Sequence, residues 1–144
     1  APDQPELQAE IATITGARTV ASRDAQFVMH DAMPTDETTL SLSRGTTYQP
    51  ELGCRLVLAW NVPTPPASSD SIEVKLSGPG VVNGTTLAVS SASAAFLAAR
   101  SVANSRPPTG IDCWLVSATG EVVGLPRTTR IEATDFAGSV VGKN

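Results

Sequence analysis

Residues Cys54–Val62 read Cys-Arg-Leu-Val-Leu-Ala-Trp-Asn-Val. Cys54, Leu56, Leu58, Trp60 and Val62 alternate with Arg55, Val57, Ala59 and Asn61, and most positions on both faces are apolar. A strand with one wet face does not carry that pattern. The run therefore predicts a strand buried on both sides, interior to a sheet that helices cover. The expected class is α/β, with a mixed, partly antiparallel sheet flanked by helices. Aromatic residues make up only 4% of the chain against 41% apolar, so the core has to be aliphatic. At 144 residues the default is one domain, 1–144, long enough to bury about two-thirds of its unfolded surface.

The neighbouring segments supply the other elements. Asp3, Pro5 and Glu6 suit a helix start, Leu7, Ile11 and Ile14 share one helical face, and Gly16 stops it. Ala25–His30 reads as a short strand, and a turn of helix is expected near Asp36–Leu42. Residues Pro63–Ser71 hold three prolines and three serines and read as a loop. Ile72–Ser77 alternates cleanly, with Ile72, Val74 and Leu76 inward. Antiparallel pairing of this strand with Arg55–Val62 is the simplest arrangement for two strands joined by a loop. Ser77-Gly78-Pro79-Gly80 then forces a tight turn. A helix capped by Ser90 or Ser91 runs to Asn104, with Ala95, Phe96, Ala99, Val102 and Ala103 on one face.

The last third carries the most chemistry. Ile111–Val116 and Val122–Leu125 flank a turn at Thr119-Gly120, a hairpin signal. Pro126 has no N–H and ends the ladder or marks its edge. Arg127, Thr128, Thr129, Arg130 and Glu132 then place two cations, two hydroxyls and a carboxylate together. Arginine forks match phosphate geometry, and threonines add donors. The plainer alternative, stronger on chemistry alone, is that Arg127 or Arg130 pairs with Glu132 or Asp112 and fixes a loop. Residues 132–144 read as a flexible tail.

Several function classes are disfavoured. A net charge of −4 argues against a general nucleic-acid binder. No apolar run approaches the roughly 20 residues that span a bilayer. His30 is the single histidine, with no cysteine or second histidine near it, so a His/Cys metal site is unsupported. Nothing places a nucleophile beside His30 either. Both Walker and Gly-x-Gly-x-x-Gly patterns are absent, so Ser77, Gly78 and Gly80 read first as a tight turn. Cys54 and Cys113 lie in apolar strand patterns and are expected to be reduced, buried thiols in a cytoplasmic protein.

Pro108-Thr109-Gly110-Ile111-Asp112, a strand, a turn, a strand, then Leu125-Pro126-Arg127-Thr128-Thr129-Arg130-Ile131-Glu132 resembles the C-terminal signature of one family. That family is PhnH, the H subunit of the bacterial carbon–phosphorus lyase system. The Gly78-Pro79-Gly80 turn agrees with it in order and spacing, and the order of elements is similar from about Leu7 to Glu132. Motif-level likeness covers the last third, and roughly a third of the family's chain, at the front, has no counterpart here. The resemblance implies a trimmed fold of the pyridoxal-phosphate-dependent transferase type, used without that cofactor. Lys75 sits at an outward strand position and Lys143 in the tail, which agrees with the expectation of no cofactor.

By the same resemblance, the chain is an accessory subunit that supports coupling of an alkylphosphonate to the ribose of a nucleoside triphosphate. Its expected partners are the other lyase subunits, with a homodimer and a phosphonate or nucleotide ligand as further expectations. It implies Asp112, Arg127, Thr128, Thr129, Arg130 and Glu132 as contacts to a partner or a phosphate-bearing ligand. Two other readings stay open: a stand-alone enzyme with an anion pocket between Ser77–Gly80 and Arg127–Arg130, and a binding module with no small ligand.

Overall fold

The computed structural model describes residues 5–60, 71–82 and 84–133. The Asp3 cap, the loop predicted at 63–70 and the tail beyond 133 lie outside them. The elements run α1 (Pro5–Thr15), β1 (Phe27–His30), α2 (Asp36–Ser41), β2 (Arg55–Ala59), β3 (Ser71–Ser77), β4 (Thr85–Ser90), α3 (Ser91–Ala103), β5 (Asp112–Val116), β6 (Val122–Leu125) and β7 (Arg130–Ala133). They build two sheets, a four-stranded one in the order β1-β2-β5-β6 and a three-stranded one in the order β4-β3-β7. Strands β1, β2 and β5 are parallel, and β6 returns antiparallel at the edge. The smaller sheet is antiparallel throughout.

β2 is interior, as its sequence demands, but its partners differ from expectation. It pairs with β1 and β5, and β3 lies in the other sheet. The expected β2–β3 pairing is therefore wrong. β3 has one polar face, Glu73 and Lys75, which suits a half-solvated antiparallel sheet. β2 has the apolar character of a parallel strand and takes neighbours from distant parts of the chain. Burial of β2 on both faces is only half realised. Leu56 and Leu58 are fully buried, whereas Val57 is half-buried and Ala59 exposed. On that second face Phe27 is largely open and Met29 and Trp114 are partly exposed, and the Arg55 guanidinium lies 5.3 Å from the Phe27 ring.

The buried residues of both sheets and of α3 form one cluster, including Leu56, Leu58, Val74, Val89, Phe96, Leu97, Ile111 and Leu115. α3 packs against α2 and against β3, β4 and β7 of the smaller sheet. Ser90 caps it, accepting from the Ser93 N–H at 3.3 Å. Its buried face is Ser93, Phe96, Leu97, Arg100 and Ala103, with Ala94 and Ala99 beside it. The face read from sequence is thus rotated: Ala95 and Val102 point to water, while Arg100 points in. Thr35 caps α2 in the same way as Ser90 caps α3. α1 buries none of its residues; Ile14 of its apolar stripe is 75% exposed.

Two strands were not read from the sequence. β4 is Thr-Thr-Leu-Ala-Val-Ser, whose small polar residues mimic a loop, and it is drawn into the sheet by β3. β7 begins at Arg130, inside the tract read as a basic loop, and pairs with β3. Residues 132 and 133 are accordingly strand, a correction to a tail starting at 132. No helix among the described residues is long and apolar enough to cross a membrane.

Candidate functional site

The expected site residues separate into two groups. Asp112 and Arg127 form the first. The Asp112 carboxylate accepts from the Arg127 backbone N–H at 2.7 Å, from Nε at 3.2 Å and from Nη2 at 2.6 Å. Nη1 donates to the Pro50 carbonyl and, at 3.4 Å, to that of Pro108. The guanidinium is thus consumed by the chain itself, and the loop-fixing alternative holds for Arg127. Burial pushes the Asp112 carboxyl up, but the hydrogen bonds and charge of Arg127, helped by Arg100, outweigh it and hold the group below the ordinary carboxylate range. Glycine at 53 is what lets these segments meet, because a side chain there would run into the Gly110 carbonyl and the Arg127 guanidinium.

Ser77, Gly78, Thr128, Thr129, Arg130 and Glu132 form the second group. A Cβ on Gly78, whose φ is +132°, would lie 2.9 Å from the Thr128 carbonyl, so the two turns touch backbone to backbone. Thr129 is buried, and its N–H closes the turn onto the Pro126 carbonyl at 2.8 Å. Thr128, Arg130 and Glu132 are exposed. Arg130 stands opposite Ser77 and Glu132 opposite Lys75 in the β3–β7 ladder, so all four share one outward face. Gly80 sits in an open turn. The two arginines of the tract therefore point to different surroundings and do not converge.

Two residues that hold this region together were missed. Arg100 is fully buried, and its guanidinium donates to the carbonyls of Leu125 (2.8 Å), Pro126 (2.6 Å) and Thr129 (3.4 Å). Asn104 donates to the Ile111 and Arg127 carbonyls and accepts from the Ile111 N–H at 2.7 Å. A signal existed for the first: Arg100 lies three and four residues beyond Leu97 and Phe96, on the same helical stripe.

Cys54 and Cys113 are buried free thiols. Burial pushes them up to about 12 and about 11, so both stay protonated and inert near neutrality. Among the described residues no three His, Cys, Asp or Glu side chains gather as a metal site.

A family model described as bacterial phosphonate metabolism protein (PhnH) matches residues 1–132. The chain belongs to the PhnH family. A curated relative, the putative C-P lyase subunit protein HtxG of Stutzerimonas stutzeri, is 33% identical over 116 residues. That match covers 81% of this chain and 55% of the relative, so this PhnH chain spans about half the length of the protein it resembles. The two segments read from sequence as resembling that family, Pro108–Asp112 and Leu125–Glu132, are tied together by Arg127, Arg100 and Asn104 through the residues from Ile111 to Asp112 and from Leu125 to Thr129.

Proposed function

We propose that the chain serves as an accessory, architectural subunit of the carbon–phosphorus lyase system. In that role it supports coupling of an alkylphosphonate to the ribose of a nucleoside triphosphate during phosphonate catabolism. It works in the cytoplasm beside the other lyase subunits and contributes no chemistry or cofactor of its own. The observation that carries this reading is the PhnH match across residues 1–132, with a relative named as a putative C-P lyase subunit. The geometry agrees with it. The cations best suited to grip a phosphonate, Arg100 and Arg127, are engaged by the chain's own oxygens. What remains outward on β3 and β7 is a mixed patch of Lys75, Ser77, Arg130 and Glu132, which suits a protein partner better than an anion pocket. The finer likeness to a trimmed pyridoxal-phosphate-dependent transferase fold belongs to the same proposal; the parallel β1-β2-β5 core with an antiparallel edge supports it.

Co-purification with the other subunits tests the role. A tagged chain co-expressed with a complete set of lyase subunits is expected to retain them. The Arg130→Glu, Glu132→Lys double variant should lower recovery about tenfold, with a thermal midpoint close to the parent's, since both side chains are exposed. Arg127→Ala should instead lower the midpoint. Failure of the parent chain to retain any lyase subunit would overturn the assignment.

A further inference from the structure

The smaller sheet runs β4-β3-β7, so among the described residues β7 pairs with β3 on one side and with no strand on the other. Its outer row of backbone N–H and C=O groups is a template for a further strand. Edge strands are commonly guarded against such pairing by charged side chains, and β7 carries two, Arg130 and Glu132. Both are exposed, and neither forms a salt bridge within the described residues. They flank Ile131 symmetrically, stand on the same outward face and differ in sign. Ile131 points the other way and packs, partly buried, against the core cluster. Such an edge repels most strands but fits its own copy laid antiparallel.

We propose that β7 pairs antiparallel with β7 of a second copy of this chain, about a two-fold axis at Ile131. The two small sheets then become one, running β4-β3-β7 and back through β7-β3-β4 of the copy. In that register Arg130 stands opposite Glu132 of the second copy, and Glu132 opposite Arg130 of the second copy, at the spacing where opposite charges attract across strands. Ile131 meets Ile131 on the inner face, so its remaining apolar surface is covered in continuity with both cores. The same charges disfavour the alternatives. Moving the axis to Arg130 or to Glu132 sets like charges face to face, and parallel in-register pairing puts Arg130 beside Arg130. A one-residue slip sets Ile131 against Glu132 and breaks the match of faces. The opposite edge of the sheet, β4, reads Thr-Thr-Leu-Ala-Val-Ser and has no charge with which to choose a register. This contact is made by the edge of β7, whereas the assembly role falls to the outward face of β3 and β7.

Sedimentation velocity of the purified chain, loaded from about 10 μM to about 1 mM, spans the affinities open to a short edge contact. The expected result is a concentration-dependent shift from monomer to dimer with no larger species, because a two-fold contact closes on itself. Arg130→Glu turns both ion pairs into facing carboxylates and should weaken the dimer about tenfold, and Glu132→Lys should do the same with facing cations. Arg130→Glu joined to Glu132→Lys restores opposite charges and should return the affinity to within about threefold of the parent's. That double variant is also the one expected to lose the lyase subunits, so failure of the dimer and failure of the assembly role read out separately. Circular dichroism checks the fold of each variant; should one single reversal fail to fold, the other and the double variant decide. A monomer at every concentration overturns the proposal and leaves the edge to a different chain. A dimer indifferent to the single reversals overturns the location, and one not restored in the double variant overturns the register. Growth beyond a dimer overturns it in favour of open-ended pairing that includes β4.

Discussion

Arg127 and Asp112 show how a residue pair suited to ligand capture can be fully occupied in the fold. The carboxylate receives three donors from one residue, and the remaining guanidinium edge is held by the Pro50 and Pro108 carbonyls. Because the folded-state pKa of Asp112 is depressed, the pair's stabilisation is present above the ordinary carboxylate pKa of 3.8 and is lost as pH falls through the lower folded value. Urea unfolding between neutral pH and about pH 3 should therefore show a loss of stability on the acid side. In Asp112→Asn that acid-side slope should be shallower and stability at neutral pH lower. An unchanged slope would mean that the pair contributes nothing to folding. This much was half legible in the sequence. Asp112 and Arg127 were visible as candidate partners, but so were Arg130 and Glu132, and only the β5–β6 hairpin register decides which side chains meet.

At the scale of elements, α3 is the piece on which the PhnH signature depends. Its start was legible because Ser90 is a strong capping residue in front of an alanine-rich run. Its orientation was not, since an arginine is normally assigned to the wet face. Arg100 is tolerated at zero exposure because three carbonyls of the Leu125–Thr129 segment surround its guanidinium. Truncation to Ala leaves those oxygens unpaired beside a cavity, and a loss of about 3–5 kcal/mol is expected in equilibrium denaturation. Arg100→Met keeps much of the volume and should cost less than Arg100→Ala. Equal stability of Arg100→Ala and the parent would show the clamp to be dispensable. The same element scale explains β4 and β7. Neither has a strong pattern of its own, and each is a strand because β3 offers it a hydrogen-bonding edge.

For the whole molecule, the two sheets and α3 share one buried cluster, so neither sheet has an independent core. Unfolding followed by Trp60 fluorescence in the Trp114→Phe variant and by far-ultraviolet circular dichroism should give coincident transitions. Separate midpoints would show that the β4-β3-β7 sheet holds on its own. The sequence by itself determined the α/β class, the interior place of β2, the hairpin of β5 and β6, the helix starts and the PhnH signature. Each of these is written in local periodicity, capping residues or a contiguous motif. Only the tertiary structure decided that β2 pairs with β5 across a long excursion, that β3 leaves for a second sheet, and that Arg100 turns inward to the Leu125–Thr129 carbonyls. Strand partnership depends on which distant edges meet and bury apolar surface together. No local pattern in one segment carries that information.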